Sequence, residues 1–173
     1  MDSLVTEAAL DPNVSAALYR DGMAAVAGHV HVVTTEGAAG RSGFTAIAVA
    51  SVSDNPPTML VCLNRASSNG PLIEENRIFA INALGAGSAE LAEVFAGRAG
   101  VAGEARFAAG DWGRLVTGAP VLDGALVSFD CRLLEMRAFA THYIVMGRVV
   151  AVRMGADGPG LTYFRRGYRP ITS

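Results

Sequence analysis

The chain has 173 residues, of which 51% are hydrophobic and 17% are charged, and its formal net charge at pH 7 is −2. A chain of this size and composition can bury a hydrophobic core, which excludes a disordered protein. All 14 basic residues are arginine, so enzymes that need a Schiff-base or Walker A lysine are excluded, and the lack of a basic stripe argues against nucleic-acid binding.

We expect one domain over residues 1–173, with its core at about 16–169. The N-terminus has neither the basic region nor the apolar run of a secretory signal, and no stretch approaches the roughly 18 apolar residues of a membrane span. The sequence therefore predicts a cytoplasmic protein that does not enter a membrane. Cys62 and Cys131 lie in apolar, strand-like runs, so we expect buried thiols rather than a disulfide.

The first predicted element is a helix that begins at Asp11-Pro12, where an acidic N-cap precedes a proline, and ends near Ala27. Strand-like runs and two short helices follow, separated by turns rich in glycine, proline and asparagine. The predicted strands are 30–35, 42–53, 58–63, 78–84, 125–137, 142–154 and 161–164. The short helices are predicted at about 71–76 and 88–96, and residues 97–124 are predicted to be irregular.

This pattern of many strands and few short helices predicts a mainly β protein with a closed or nearly closed barrel. Alternation is clearest at the apolar residues 125, 127, 129, 131 and 133. The intervening Ser128, Asp130 and Arg132 are polar. We expect the apolar face of this strand to pack on the core and its polar face to meet solvent or a partner.

Small side chains line one face of the predicted strand 42–53. Ala46, Ala48 and Ala50 share that face because side chains alternate along a strand. A row of alanines leaves a shallow, flat slot. The slot would suit either a closely packed helix or a flat ligand ring, and the pattern leaves both open.

Polar side chains gather at two strand ends near this slot. Ser51 and Ser53 stand at one, and Asn-Arg-Ala-Ser-Ser-Asn at 64–69 stands at the other. Hydroxyl, guanidinium and backbone N–H groups can bind a phosphate, although the same residues also suit an ordinary polar turn. A flat slot beside an anion site would fit an aromatic ring that carries a phosphate tail.

Two histidines offer a competing hypothesis. The spacing of His29, His31, Glu36 and Gly43 is close to the first motif of cupin metal sites. The second motif needs a proline–glycine turn shortly before another histidine, and His142 has none. We therefore favour an alternating strand whose histidines face one way, and keep a cupin-type metal-dependent enzyme as the alternative.

Two further segments have simpler interpretations. The glycines at 85 and 87 lie between a strand and a helix, as in a dinucleotide fingerprint, but Glu90 replaces the third glycine. A lone parallel unit also does not fit the β-rich remainder, so we expect a plain strand-to-helix turn. Asp111-Trp112-Gly113 suits a lid or a loop anchored by its tryptophan, and the sequence leaves this open.

Five segments stand in one order along the chain: Gly40–Thr45, Ser51–Ser53, Pro56-Pro57, Leu60–Arg65 and Thr141-His142. Together they resemble the short-chain flavin reductase family, the NAD(P)H:flavin reductases that feed reduced flavin to two-component monooxygenases. The resemblance covers about residues 16–169. Within the family it is strongest to the FMN reductases of uracil degradation, and next to the 4-hydroxyphenylacetate monooxygenase reductases.

The resemblance implies a split β-barrel of the FMN-binding type, usually built as a homodimer. It implies FMN as the flavin, with FAD also accepted by the family, and NADH or NADPH as the hydride donor. It implies a flavin-dependent monooxygenase as the partner that receives reduced flavin. A flavin-binding protein without catalysis, on the same fold, is a third hypothesis.

The resemblance also implies a set of cofactor-binding residues. Those implied for the isoalloxazine ring and the ribityl chain are Thr45, Ala46, Ser51, Val52 and Ser53. Those implied for the phosphate are Asn64, Arg65, Ala66, Ser67 and Ser68, with further charge from Arg98.

The one catalytic residue that the resemblance implies is His142, beside the nicotinamide. The family commonly has Gly-Asp-His there, and in this chain Thr141 replaces the aspartate. Hydride transfer needs oriented cofactors and no general base, so we interpret His142 as positioning the nicotinamide. Tyr168 belongs to a C-terminal tyrosine segment that the family places near the same pocket.

Overall fold

The computed structural model of the protein describes residues 14–172. Within them, the helices are α1 (Ala16–Ala24), α2 (Asn69–Asn76) and α3 (Ala89–Phe95). The strands are β1 (Gly28–His29), β2 (His31–Gly37), β3 (Gly40–Ala46), β4 (Val49–Asp54), β5 (Pro57–Asn64), β6 (Ile78–Ala83), β7 (Trp112–Arg114), β8 (Pro120–Leu122), β9 (Val127–Phe139), β10 (His142–Met154), β11 (Gly160–Phe164) and β12 (Gly167–Ile171). Short 3₁₀ segments span Ala86–Ser88 and Gly103–Ala109.

Seven strands form the main sheet, in the order β3-β2-β6-β9-β10-β5-β4. Strands β3 and β4 are its two edges, yet only Ile47 and Ala48 connect them. The sheet must therefore curl until its edges approach each other. The mainly β fold with short helices is confirmed. Of the two expected forms, the barrel is the nearly closed one, a curled sheet, because within residues 14–172 its two edge strands do not pair.

The predicted single strand 42–53 is wrong, since the chain turns at Ile47-Ala48 and forms β3 and β4. The Val49 N–H donates to the carbonyl of Ile47 at 2.9 Å, which closes a tight turn. Gly28 of β1 lies against this turn, and a Cβ on it would stand 2.2 Å from Cγ2 of Ile47. The curl of the sheet imposes the break, and the alternation of side chains does not reveal it.

A second sheet, β1-β11-β12, packs beside the main one, and β7 pairs with β8. Strand β12 lies beyond 161–164, the last strand that the sequence predicted. Under α3, the ring of Phe95 meets that of Trp112 at 5.5 Å between centroids, and the Trp112 indole N–H donates to the carbonyl of Phe107 at 3.0 Å. Trp112 is therefore an anchored side chain.

Strand β9 packs its apolar face as predicted, with Cys131 fully buried. Its supposed outer face is also covered, because Ser128 and Asp130 have no exposed surface. Asp130 accepts a hydrogen bond from the backbone N–H of Thr117 at 2.8 Å. The Ser128 hydroxyl donates to the side-chain oxygen of Asn82 at 2.8 Å. Burying these groups costs little because each has a partner. The expectation that the polar face meets solvent or a partner is therefore wrong at Ser128 and Asp130, whereas Arg132 is exposed as expected.

Three smaller expectations can be compared with the structure. Helix α1 is capped by Ser15 and ends at Ala24 rather than near 27, while Asp11-Pro12 lies outside the described residues.

Both cysteines are free, with Cys131 buried and Cys62 half-buried. Burial, with Asp130 alongside, raises the pKa of Cys131 to about 12. Among the helices of residues 14–172, none has the length and apolar composition to cross a membrane.

Candidate functional site

A cleft of about 1200 Å³ opens around the turn that joins β3 to β4. Ile47 of this turn touches β1 at Gly28, and the carbonyl of Ala48 accepts a hydrogen bond from the N–H of Cys62 on β5 at 3.0 Å. The turn thus separates two sides of the cleft. The "β1 side" comprises Arg20, Met23, Ala24, Val26, Ala27, Gly28, His29, Tyr163 and Arg166, and the "β5 side" comprises Cys62, Leu63, Asn64, Ala66, Ser67, Ser68, Asn69 and His142.

The alanine row is divided by the break between β3 and β4. Ala46 and Ala48 line the cleft together with Thr45, whereas Ala50 lies exposed on β4, outside the cleft lining. Thr45 is held by donating its hydroxyl to the carbonyl of Ala92 at 2.7 Å. The middle of the cleft therefore carries only short side chains at these positions and leaves room for a flat group.

Polar groups of the β5 side form a structured loop rather than a loose turn. The side-chain oxygen of Asn64 accepts the backbone N–H of Ala66 at 2.8 Å, and the Asn69 amide donates to the hydroxyl of Ser67 at 2.8 Å. The loop leads directly into α2. Ser68 caps that helix without a side-chain capping bond, so its hydroxyl can serve an anion. The first-turn N–H groups are already used, because Asn69 donates to the Ser67 hydroxyl at 3.3 Å, Gly70 donates to the Ser67 carbonyl at 3.4 Å, and Pro71 has no N–H.

Arg106 also lines the cleft, although sequence analysis did not single it out. Its guanidinium donates to the carbonyls of Val101 at 3.0 Å and Gly43 at 3.2 Å. Gly43 follows Ser42, whose hydroxyl donates to the side-chain oxygen of Asn69 at 2.7 Å. The cation therefore stands near the polar loop, and within residues 14–172 no carboxylate forms a salt bridge with it.

His142 opens β10 and pairs with Asn64 across the β5–β10 ladder. Its side chain is exposed at the cleft. The hydroxyl of Thr141 lies 2.9 Å from Nδ1 of the imidazole and can hold the ring. The structure thus brings His142 together with Asn64, Ala66, Ser67 and Ser68 on one side of the cleft.

Three of the predicted cofactor-binding residues, Ser51, Val52 and Ser53, lie on the edge strand β4 and do not line the cleft. Val52 is 49% exposed. Arg65 also points elsewhere, since its guanidinium donates to the carbonyl of Ala140 at 3.0 Å. Their assignment to a cofactor stays a prediction.

Arg98 and Tyr168 stand behind the cleft wall, next to Tyr163. The Arg98 guanidinium pairs with Glu93 at 3.0 Å, and its pKa is raised mainly by a hydrogen bond with Tyr163. The ring of Tyr168 lies 5.3 Å from that of Tyr163, and burial followed by Glu93 raises its pKa to about 12. These two residues can act on the cleft through Tyr163, which lines it.

The histidines at 29 and 31 both line the cleft, with ring centroids 4.9 Å apart. Burial and then the neighbouring His29 lower the pKa of His31 to about 4. Glu36 instead pairs with Arg114 at 2.7 Å and with Arg41 at 3.5 Å. Within the described part of the chain, no three His, Cys, Asp or Glu side chains are placed to hold a metal ion, so the cupin-type triad is not assembled.

Comparisons with known proteins identify relatives along nearly the whole chain. The model of the flavin reductase like domain matches residues 23–172. The FMN reductase (NADH) RutF of Agrobacterium fabrum is 48% identical over 174 residues, covering 99% of each chain. RutF 2 of Methylorubrum extorquens, also named FMN reductase (NADH), is 51% identical over 162 residues, covering 93% of each chain.

A solved structure extends the likeness to the fold. BorF, the flavin reductase component of a bacterial two-component tryptophan halogenase, superposes with a TM-score of 0.85. It is 28% identical, and the match covers 92% of this chain and 99% of BorF. By the extent of these matches, the chain belongs to the flavin reductase like domain family.

Proposed function

We propose that this protein is an NADH-dependent FMN reductase, which passes a hydride from NADH to FMN and releases reduced flavin to a separate monooxygenase. One observation carries the proposal. A cleft with short side chains in its middle and a polar loop on one side occurs in a chain that matches FMN reductases (NADH) over nearly its whole length. FAD and NADPH are alternative substrates of the same site.

The size of the cleft suits two ring systems. Pockets for one ligand usually measure roughly 300–1,000 Å³, and this cleft has about 1200 Å³. The short side chains of Ala46 and Ala48 leave space for a flat isoalloxazine ring beside the β3–β4 turn. Phe44 and Leu63 also line the cleft and provide the apolar surface that such a ring requires.

The donor set of the β5 side fits a phosphate. Ser67 and Ser68 offer hydroxyl groups, and Arg106 offers a cation without a carboxylate partner among the described residues. Where lysine is absent, arginine is the cation that binds phosphate oxygens. We therefore propose that the FMN phosphate binds between this loop and Arg106.

When both cofactors are bound, they supply the hydride transfer itself. The task of the chain is to orient the rings and to keep water away. The apolar lining residues Phe44 and Leu63 are buried and keep water from this part of the cleft. We propose that His142, with Nδ1 held near the Thr141 hydroxyl, positions the nicotinamide, since the transfer needs no proton from the protein.

We further propose that the protein works as a cytoplasmic homodimer. The exposed apolar side chains Val52, Leu134 and Val152, each about half exposed, offer surface for a second copy. A copy packed against β4 would also place Ser51 and Ser53 near a subunit contact. NADH and the oxygenase that consumes reduced flavin meet in the same compartment, which is why we place the protein there.

Anaerobic mixing of the purified protein with NADH tests the proposed function. We expect NADH to be oxidised in proportion to added FMN, and a metal chelator to have no effect. Oxidation that depends on a metal and ignores FMN would support the cupin-type enzyme instead. Tight FMN binding without NADH oxidation would identify a non-catalytic flavin-binding protein.

A further inference from the structure

We propose that Arg20 and Arg166 form a second anion subsite on the β1 side, which binds the diphosphate of the nicotinamide dinucleotide. This inference rests on the proposed function, because it names a subsite for the hydride donor. If the polar loop of the β5 side holds the flavin phosphate, it cannot hold the diphosphate of the dinucleotide at the same time. The inference therefore assigns the diphosphate to the two arginines.

The two arginines come from distant parts of the chain and meet at one side of the cleft. Arg20 belongs to α1, and Arg166 belongs to the turn between β11 and β12. Both line the cleft. The Ile47-Ala48 turn separates them from Ser67 and Ser68, so the cleft has a donor group on each side of its alanine-lined middle.

The backbone around Arg166 is held in an unfavourable conformation. Arg165 and Arg166 have φ values of 48° and 60° and form the two-residue loop between the paired residues Phe164 and Gly167. Such loops strongly prefer asparagine and glycine, because left-handed backbone brings Cβ close to the following carbonyl. Residues kept in this region cluster at ligand-binding sites, so this pair of arginines requires an explanation.

The loop is fixed in place by α1. The N–H of Arg165 donates to the carbonyl of Ala24 at 2.7 Å, and the guanidinium of Arg166 pairs with Asp21. Arginine has five N–H donors, so Arg166 can keep Asp21 and still bind a phosphate oxygen. Asp21 thereby orients the guanidinium.

Charge at this position favours an anion. Arg20 and Arg166 contribute two positive charges and Asp21 one negative charge, which leaves a net charge of +1. Within residues 14–172, Arg20 forms no salt bridge. A planar guanidinium binds phosphate oxygens in pairs, and a dinucleotide carries a diphosphate between its two nucleosides.

The chain offers a matched control in Arg165. It shares the turn, the charge and the left-handed backbone of Arg166, but its guanidinium lies 5.3 Å over the ring of Phe164 and it is not part of the cleft lining. Each of the variants Arg166→Gln, Arg20→Gln and Arg165→Gln removes one positive charge, but only the first two remove it from the cleft lining. Arg166→Gln also removes the ion pair with Asp21, whereas Arg20→Gln leaves that pair in place.

The experiment compares two hydride donors and one binding probe. We measure steady-state kinetics with NADH and with N-benzyl-1,4-dihydronicotinamide, which has no phosphate, and titrate ADP calorimetrically into the flavin-free protein. Because each variant removes one charged hydrogen-bond donor from an exposed position, we expect Arg166→Gln and Arg20→Gln to raise the KM for NADH and the Kd for ADP about tenfold, which corresponds to about 1.4 kcal/mol. We expect both variants to leave turnover of the phosphate-free donor and FMN affinity unchanged, and Arg165→Gln to stay within about twofold of the unsubstituted protein.

Three outcomes would overturn the subsite: equal effects of Arg165→Gln and Arg166→Gln, a parallel loss with the phosphate-free donor, or unchanged ADP binding in both cleft-facing variants. Failure of the proposed function looks different. The unsubstituted protein would then oxidise neither hydride donor faster than FMN does without protein, while the ADP titration would still report on the two arginines.

Discussion

The two sides of the cleft are built in different ways. On the β5 side, β5 lies inside the main sheet between β10 and β4, and its Val61 and Leu63 are buried in the core. On the β1 side, β1 has only two residues and α1 buries none of its side chains. That side is joined to the β11–β12 turn by the Arg165–Ala24 hydrogen bond and the Arg166–Asp21 ion pair.

This difference separates stability from substrate binding. Regions with few buried apolar contacts open at low free-energy cost, whereas core strands open only with global unfolding. The β5 side therefore provides a fixed surface for one cofactor, and the β1 side can adjust as a second cofactor enters. Substitutions beneath the β5 side should change the free energy of unfolding, while substitutions on the β1 side should change substrate use.

The largest expected effect comes from the core beneath the β5 side. Phe79 is fully buried, and its ring packs so closely over Gly147 of β10 that a Cβ there would lie 2.3 Å from the ring. We expect Phe79→Ala to lower the free energy of unfolding by about 4 kcal/mol, measured by urea denaturation. Phe139→Ala, on the same sheet but 51% exposed, should change it by no more than about 0.5 kcal/mol. Similar losses in both variants would contradict a core concentrated beneath this side.

The second effect concerns acid sensitivity at His31, which lies on β2 of the main sheet and lines the cleft. The pKa of folded His31 is lowered to about 4 from 6.5, so the folded state binds fewer protons than the unfolded chain between these values. Stability is then intact above pH 6.5 and falls as the pH drops toward 4. The difference of 2.5 pKa values corresponds to roughly 3 kcal/mol.

Urea denaturation at pH 7 and at pH 4 measures this loss. We expect the free energy of unfolding of His31→Asn to differ much less between pH 7 and pH 4 than that of the unsubstituted protein. This comparison holds whether or not the substitution changes the stability at pH 7. His142→Asn, an exposed position on the other side of the cleft, should retain the dependence of the unsubstituted protein. If His31→Asn loses as much stability on acidification as the unsubstituted protein, the buried imidazole is not the cause.

The third effect tests the role of His142. If this side chain positions the nicotinamide by one hydrogen bond, His142→Ala should raise the KM for NADH about tenfold and leave the Kd for FMN unchanged. Stopped-flow kinetics and flavin fluorescence measure the two quantities. Thr141→Val, which removes the hydroxyl beside Nδ1, should have a smaller effect in the same direction. Unchanged kinetics in His142→Ala would remove the proposed role.

Local patterns were sufficient for the long strands. The prediction of a strand at 142–154 agrees with β10 at both ends, because thirteen residues of strand-forming sequence between a turn and a glycine leave few alternatives. The break at Ile47-Ala48 could not be predicted, since alternation continues through it and only the curl of the whole sheet requires it. The burial of Asp130 likewise depends on Thr117, which lies in a segment without a periodic pattern.

The site shows the same limit. Asn64, Ser67 and Ser68 reach the cleft because they follow a strand end directly, and a strand end is visible in the sequence. Arg106 reaches it through the carbonyl of Gly43, 63 positions away, which no local signal indicates. Ser51 and Ser68 both lie near predicted strand ends, but after the break in the strand Ser51 lies exposed on the edge strand β4, outside the cleft lining.

The smallest expected effect is on FMN affinity, and it comes from comparing substitutions at these two serines. Ser68 faces the cleft at the start of α2, whereas Ser51 lies exposed on β4. We expect Ser68→Ala to weaken FMN binding about fivefold, the loss of one hydrogen bond of about 1 kcal/mol, and Ser51→Ala to change it less than about twofold in a monomer. FMN binding is measured by flavin fluorescence quenching, at protein concentrations at which the protein is monomeric and at which it is dimeric. If Ser51→Ala does weaken FMN binding, these measurements separate two explanations. A loss in Ser51→Ala that occurs only in the dimer would show that a second copy brings β4 to the cofactor, while a loss at every concentration would place the flavin outside this cleft.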